Sequence, residues 1–210
     1  MAQIITRIIA SMGPQSPVRD VQPTLPRPQE DGDEVAIFAM GNFYSAEMLF
    51  LQNFSHRGLR TSSVGYVGGS RSAPSYRSVM LGGTGHALAV RLEYDPNQIS
   101  YAALVEFFYR AHEPTKRNVQ GPDKGSQFRS AIFCLSKEQR DQAVRITGEV
   151  QKIRFAKLKK NIVTKIVGPG QEQGGIPDWW DAEDEHQKFL FIHRGEEAEQ
   201  FKCPSHKMHW

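Results

Sequence analysis

The hydrophobic pattern of the chain becomes regular at residue 35. Val35–Met40 is an apolar run of strand length, and Ser45–Phe54 places its apolar residues at the spacing of one helix face. Gly41-Asn42-Phe43 lies between these two segments. The pattern therefore predicts a strand, a sharp turn and an amphipathic helix, in that order.

Further strands and helices alternate along the rest of the chain. Glycines at 65, 68 and 69 are expected to interrupt the next strand, and Ser100 can cap a helix that ends near Ala111. Glu113–Gln127 is a long polar loop, a kind of segment that often carries function. The later segments predicted are a strand at Leu88–Tyr94, a helix at Ser136–Lys152, a strand at Ile162–Val167, and a loop with a short helix at Trp179–Ile192. This mixture favours an α+β sandwich.

The first 34 residues differ in composition from the rest. They contain five prolines and end in the acidic run Gln29–Glu34, so we expect residues 1–34 to form a flexible extension. Residues 35–210 are then one domain, because 210 residues with 39% hydrophobic content suffice for a single core. Arg7 and Arg19, with no acidic residue up to that point, weakly resemble a mitochondrial transit peptide.

Charge and cysteine content exclude several classes of function. The chain has 26 basic and 23 acidic residues with a net charge of +3, which is too weak to indicate a nucleic-acid partner. It has no apolar run long enough for a membrane span. Its two cysteines lack metal-binding spacing, and a cytoplasmic location is the simpler interpretation. Cys134 is expected to be buried, whereas Cys203 lies in a polar tail where a thiol can react.

A series of short motifs gives the chain a resemblance to a known family. The motifs are Gly41-Asn42-Phe43-Tyr44, Gly65-Tyr66-Val67-Gly68-Gly69, Pro74-Ser75-Tyr76-Arg77, Gly85-His86-Ala87, Tyr94-Asp95-Pro96, His112-Glu113-Pro114-Thr115, Gln120-Gly121-Pro122-Asp123-Lys124-Gly125, Arg129-Ser130, and Ala182-Glu183-Asp184 with His186-Gln187. In this order and spacing, residues 36–206 resemble methionine sulfoxide reductase A. The resemblance implies that family's fold, which is a two-layer α/β sandwich with a mixed sheet.

The same resemblance implies changes at the reactive positions. The family carries a cysteine thiolate where this chain has Asn42, and an amide cannot replace the thiolate as a nucleophile. The family's glutamate and one of its tyrosines correspond to Leu88 and Phe128. Cys203 falls in the family's recycling segment and would have no first thiol to resolve. We therefore expect that the chain is not a competent methionine sulfoxide reductase and that Cys203 is a relic.

The candidate site residues follow from this resemblance. Tyr76, Asp123 and Asn42 are the predicted catalytic residues. The predicted substrate-binding residues are Phe43, Tyr44, Glu47, His86, Leu88 and Phe128. Structural hydrogen bonds are the competing explanation for the polar members of both groups. We expect no cofactor, and no metal at Glu183, Asp184 and His186, because the family keeps those positions without one.

The re-lined pocket leads to a prediction of altered function. Apolar residues in place of polar ones favour a cofactor-free cyclase, isomerase or pericyclic enzyme acting on a hydrophobic small molecule, in a biosynthetic pathway. The alternatives are a non-catalytic module that binds oxidised methionine or another ligand, and an inactive paralogue. The sequence does not decide among them, and it does not indicate the oligomeric state.

Overall fold

The strand predicted from Val35 begins one residue earlier and lies inside a six-stranded sheet. The computed structural model describes residues 22–24, 28, 31–170, 175, 177–194, 203, 205, 206 and 208–210. The strands are β1 Glu34–Met40, β2 Leu59–Val67, β3 Ala87–Tyr94, β4 Val119–Gln120, β5 Asp123–Lys124, β6 Ser130–Phe133, β7 Lys165–Val167 and β8 Trp179–Asp181. The sheet has the order β7-β6-β1-β3-β2-β8, while β4 and β5 form a separate hairpin.

The main sheet is mixed. Its strand pairs are antiparallel except for β6 with β7, which run parallel. A helical segment connects these two strands, as a parallel pair requires. The helices are α1 Phe43–Phe54, α2 Tyr76–Met80, α3 Tyr101–Ala111, α4 Lys137–Val150 and α5 Phe189–Arg194, with a π-helical turn at Gln151–Phe155 and 3₁₀ turns at Ser126–Phe128, Ala156–Leu158 and Asp184–His186. The predicted α+β sandwich with a mixed sheet is confirmed.

The main core lies between the sheet and helices α1, α3 and α4. Alternate residues of β1 point to opposite faces, so Phe38 packs with the rings of Phe50 and Phe108 while Ile37 faces the other side. The second face packs on Phe133 and Trp179. Because both faces of β1 are buried, its sequence is a continuous apolar run instead of an alternating one.

Most of the predicted N-terminal extension lies outside the described residues. The flexibility expected of residues 1–34 therefore stays a prediction. Within it, the Thr24 amide donates to the Trp179 carbonyl at 2.9 Å, next to the outer strand β8. Among the described residues, no helix is both long enough and apolar enough to cross a membrane.

Two expectations about irregular segments need correction. Strand β2 continues through Gly65 and ends only where Gly68 adopts a φ of +73°. Gly65 pairs with Asp181 of β8, and a Cβ at this position would lie 2.4 Å from the Trp180 carbonyl oxygen. The glycine thus permits close strand pairing and does not interrupt the strand. The polar loop at Glu113–Gln127 contains the β4–β5 hairpin.

The first prediction concerns this close approach. Gly65→Ala should lower the free energy of unfolding by about 1–3 kcal/mol, because the methyl group would push β8 away from β2. Urea unfolding followed by circular dichroism measures the change. Gly148→Ala is the matched control, since a Cβ at Gly148 meets no atom within 4 Å and that glycine lies in α4. If Gly65→Ala unfolds at the same urea concentration as the wild type, the packing argument for Gly65 is wrong.

Candidate functional site

The turn between β1 and α1 places Asn42 at the start of the helix. Gly41 has a φ of +100°, and Asn42 then takes the extended conformation of an N-cap residue. The Asn42 Oδ1 accepts a hydrogen bond from the Tyr44 amide at 2.9 Å. Asparagine is among the strongest N-cap residues, so helix capping accounts for the Asn42 side-chain oxygen. The catalytic role assigned to Asn42 stays a prediction.

The first turn of α1 contributes to a buried group of rings, here called the aromatic cluster: Phe43, Tyr44, Tyr76 and His186. The Tyr76 and His186 rings have centroids 4.4 Å apart, and Phe43 lies 5.8 Å from Tyr76. The Tyr44 hydroxyl and the His186 Nδ1 are 2.7 Å apart and form a hydrogen bond. Three of the predicted site residues are therefore brought together, with Tyr76 joining the adjacent Phe43 and Tyr44 from more than 30 positions further along the chain.

Leu88 and Phe128 pack against the aromatic cluster, on the side of strand β3. Leu88 is fully buried and Phe128 is 4% exposed. The two side chains thus fill the interior beside the rings instead of lining a wide, open cavity. This packing favours a slim ligand over a bulky one.

Two polar groups beside the cluster lack normal hydrogen bonds. Among the described residues, the buried Tyr76 hydroxyl and the Oδ2 of Asp123 have no hydrogen-bond partner. The Tyr76 hydroxyl is still near enough to Tyr44 for the two to affect each other's pKa. Burial raises the pKa of Tyr76 to about 12 and also raises the pKa of the Asp123 carboxyl. Buried polar atoms without partners are uncommon and indicate where a ligand can bind.

Glu183 and His186 lie beside the predicted site residues, although the sequence indicates them only as part of a possible metal or acid–base cluster and predicts no metal there. The Glu183 carboxylate accepts from the Tyr66 hydroxyl at 2.6 Å and from the Tyr76 amide at 3.0 Å. It therefore fixes the start of α2, while His186 contacts three rings. The motif that contains both residues was the available signal. Within the described part of the chain, no group of three His, Cys, Asp or Glu residues could hold a metal ion.

Glu47, predicted to bind substrate, has local partners, whereas the buried Nδ1 of His86 has no hydrogen-bond partner among the described residues. The substrate-binding roles of both residues stay predictions. The buried Glu47 carboxylate forms an ion pair at 2.7 Å with Lys188, whose side chain is partly exposed, and accepts from the Ser62 hydroxyl at 2.9 Å. This pair fixes the backbone two residues after His186. His86 lies under Gly69, where a Cβ would come within 2.3 Å of its Nδ1. Burial lowers the pKa of His86 to about 4, so its imidazole is neutral at neutral pH.

The two cysteines have opposite environments. Cys134 is fully buried, as predicted, and burial raises the pKa of its thiol to about 11. Cys203 was expected in an open polar tail but is only 7% exposed. Its Sγ lies 3.2 Å from the Nδ1 of His206 and 3.1 Å from the Ser205 hydroxyl. Sequence reasoning missed this pair, because the contacts that bury Cys203 are to residues far away along the chain.

A cavity of about 510 Å³ is lined by none of the residues of the aromatic cluster. Its lining residues are Gly68, Gly85, Arg117, Asn118, Ser126, Arg129, Ser130, Phe133, Val163, Lys165 and Val167. It contains three basic side chains and none of the predicted site residues. The orphaned polar groups near Tyr76 therefore identify a site distinct from this cavity.

Comparison with known proteins gives a consistent picture. The family model described as peptide methionine sulfoxide reductase matches residues 34–209. A probable peptide methionine sulfoxide reductase from Schizosaccharomyces pombe is 38% identical over 178 residues, which cover 84% of this chain and 97% of that protein. The Escherichia coli peptide methionine sulfoxide reductase MsrA is 41% identical over 160 residues, covering 76% of this chain and 71% of the relative.

Solved structures agree with the sequence relatives. Mxr1 from Saccharomyces cerevisiae in its reduced form is similar with a TM-score of 0.72 at 30% identity, covering 87% of this chain and 95% of the other. Methionine sulfoxide reductase A of Corynebacterium diphtheriae is similar with a TM-score of 0.70 at 30% identity, covering 87% of this chain and 88% of the other.

These comparisons overturn the predicted change of function. The prediction of a cyclase, isomerase or pericyclic enzyme in a biosynthetic pathway is wrong, because relatives near 40% identity across most of the chain are named as reductases. The physical error was to treat Leu88 and Phe128 as the lining of a larger pocket. Both are buried, so they add packing and not space. The hydrophobic small molecule proposed as partner has no support from these relatives.

The second prediction concerns the cap of α1. Asn42→Ala should lower the free energy of unfolding by about 1 kcal/mol, because the Tyr44 amide would lose its acceptor. Asn42→Ser is the matched control, since serine also caps helices well and should retain most of the stability. Thermal and urea unfolding of both variants measure the difference. Equal stability of the alanine and serine variants would show that the Asn42 side chain does not cap α1.

Proposed function

This chain belongs to the peptide methionine sulfoxide reductase family, and we propose that it reduces methionine sulfoxide to methionine. The observation that supports this activity most directly is the pair of unpartnered polar groups, the Tyr76 hydroxyl and the Asp123 carboxyl, beside an aromatic wall. Methionine sulfoxide carries one strongly accepting oxygen and one methyl group on the same sulfur atom. Such a ligand needs hydrogen-bond donors on one side and apolar contact on the other.

The donors suit a sulfoxide oxygen. Burial keeps the Tyr76 phenol neutral, with a pKa of about 12, so its hydroxyl is a donor at neutral pH. Burial raises the pKa of the Asp123 carboxyl above its usual value, and the carboxyl can also donate when it is protonated. Because a sulfoxide oxygen has no proton, two donors bind it better than a carboxylate would. The same groups can protonate the oxygen as the sulfur is reduced.

The apolar side suits the methyl group and the thioether carbon. Phe43 is fully buried and Tyr44 is 5% exposed, and their rings are 4.8 Å apart. Rings of this kind make favourable contacts with sulfur and methyl groups. The tight packing near Leu88 favours the unbranched end of a methionine side chain. The His186 hydrogen bond holds the Tyr44 ring in place for this contact.

The third prediction tests the activity and its donors. The wild type, supplied with dithiothreitol and a peptide containing one methionine sulfoxide, should release the methionine form, detected by mass spectrometry as the loss of one oxygen. Tyr76→Phe and Asp123→Asn should each lower kcat by about 10²-fold or more with little change in KM, because the oxygen loses a proton donor.

Tyr109→Phe is the matched control for the tyrosine variant. Tyr109 is buried like Tyr76, but its hydroxyl bonds Thr147 at 2.6 Å, on the α3–α4 side of the core. This variant should keep the wild-type kcat. If the wild type binds the peptide but produces no methionine at any enzyme concentration, the proposed activity is wrong.

A further inference from the structure

Cys203 and His206 form a buried pair beside the start of α1. The Cys203 Sγ is 3.2 Å from the Nδ1 of His206, and the Nε2 of His206 is 2.6 Å from the Met40 carbonyl oxygen. Both side chains are at least nine-tenths buried. A nucleophile, a base and a group that orients the base are therefore in contact, which is the arrangement that activates a thiol in enzymes.

The Met40 carbonyl fixes the protonation pattern of the imidazole. A carbonyl oxygen only accepts, so the Nε2 of His206 must carry a proton and donate it. The Nδ1 then faces both the Ser205 hydroxyl at 3.0 Å and the Cys203 thiol, from which it can accept the proton and to which it can donate it back. Burial alone would raise the pKa of Cys203. The hydrogen bond and charge of His206, with the Ser205 and Ser45 hydroxyls, outweigh burial and lower this pKa to about 6.

The pair lies next to the groups proposed to bind the sulfoxide. Gln120 donates through its Nε2 to the Ser205 carbonyl at 2.6 Å, and Gln120 pairs with Asp123 in the β4–β5 hairpin. The charge of His206 lowers the pKa of the Asp123 carboxyl, against the larger opposite effect of burial. The Oδ2 of this carboxyl has no hydrogen-bond partner among the described residues. The Ser45 hydroxyl, which helps to lower the pKa of Cys203, lies in the first turn of α1, three residues after the N-cap Asn42. The thiol thus adjoins both the helix start and the Asp123 hairpin.

Cys134, the second cysteine of the chain, does not fit the role. It lies in the main core, near the Tyr101 hydroxyl at 3.7 Å, and its raised pKa keeps the thiol protonated. A thiol that is buried and protonated is a poor nucleophile.

We propose that Cys203, with His206 as its base, is the thiol that attacks methionine sulfoxide in this chain. The inference rests on the proposed function, and it replaces the expectation that Cys203 is a relic. It assigns the nucleophile to the C-terminal segment that packs against the start of α1. Asn42 remains the cap of that helix.

The reaction balances with one thiol and an external reductant. The Cys203 sulfur bonds to the sulfoxide sulfur while the sulfoxide oxygen is protonated. The sulfoxide S–O bond and the transient S–S bond then break as the protonated oxygen passes to the Cys203 sulfur as a hydroxyl group, which leaves an electron pair on the thioether sulfur. The sulfoxide is reduced by two electrons to the thioether, and the thiol is oxidised by two electrons to a sulfenic acid.

An external thiol must restore Cys203, since Cys134 is enclosed in the core. One reductant thiol displaces the sulfenic hydroxyl as water and forms a mixed disulfide with Cys203. A second thiol, from the same dithiol or another molecule, releases Cys203 and leaves as the oxidised disulfide. Small-molecule thiols and dithiols therefore belong to the class of co-reactant that the site requires.

The fourth prediction tests the assignment by single turnover. Reduced, desalted wild type given the sulfoxide peptide without reductant should form at most one methionine per chain, and dimedone should label the sulfenic acid on Cys203, located by mass mapping. Cys203→Ser should lose both signals. Cys134→Ser is the matched control, because Cys134 is remote from the site, and it should keep both.

A second measurement does not depend on turnover. The rate of iodoacetamide alkylation of Cys203 should rise with a midpoint near pH 6 in the wild type, since the thiolate is the reactive form. His206→Gln should move this midpoint upward, toward the value of about 8.5 for a free thiol. The other groups that lower this pKa are the Ser205 and Ser45 hydroxyls, whose effects are smaller, so Ser205→Ala should move the midpoint less than His206→Gln.

The outcomes separate the two proposals. If Cys203→Ser reduces the peptide as fast as the wild type when dithiothreitol is supplied, the assignment of Cys203 is wrong while the proposed function stands. If the wild type itself reduces no peptide, the proposed function fails and the assignment fails with it. A dimedone label on Cys134, or an alkylation midpoint near 8.5 for wild-type Cys203, also overturns the assignment.

Discussion

The hydrogen bond between His206 and the Met40 carbonyl joins the last residue of β1 to the C-terminal segment. Met40 is the point at which the central strand ends, and Gly41 then turns the chain into α1. Because the His206 Nε2 donates to this carbonyl at 2.6 Å, the C-terminal segment is held at the start of the helix. Gly41 has no side chain to obstruct this packing: a Cβ there would lie 2.5 Å from the Gln120 Cγ. The position of Cys203 depends on this contact.

Much of the fold follows from local pattern. The apolar run of β1 and the helical spacing of α1 and α3 each require burial of one or two faces, and the structure buries those faces. Gly65 was misjudged because its reason lies in another strand: the Trp180 backbone approaches it across 115 positions of sequence. The propensity of glycine reflects its flexibility and contains no information about the neighbouring strand that makes glycine necessary here.

The site was predictable only in part, for the same reason. Phe43, Tyr44 and Tyr76 could be grouped because short motifs carried the resemblance, and the structure does bring them together. His186 was visible in a motif, yet its role depends on a ring contact with Tyr76 that no spacing reveals. Cys203 depends still more on tertiary contacts, since its base is held by Met40, 166 residues away from His206. The polarity of its local sequence therefore indicated exposure where the structure shows burial.

The start of α1 has to meet two physical demands at once. Its first amide groups need an acceptor, and a reactive thiol nearby benefits from the positive end of the helix dipole. Here Asn42 meets the first demand through its bond to the Tyr44 amide. Cys203, which lies beside Ser45 and contacts His206, can supply the thiol near the positive end of the helix dipole, although it comes from a different part of the chain. The absence of a thiol at position 42 is thus compatible with thiol chemistry at this helix, provided that the C-terminal segment stays bound. The proposed activity therefore depends on the hydrogen bonds that hold His206 to Met40 and Ser205 to Gln120.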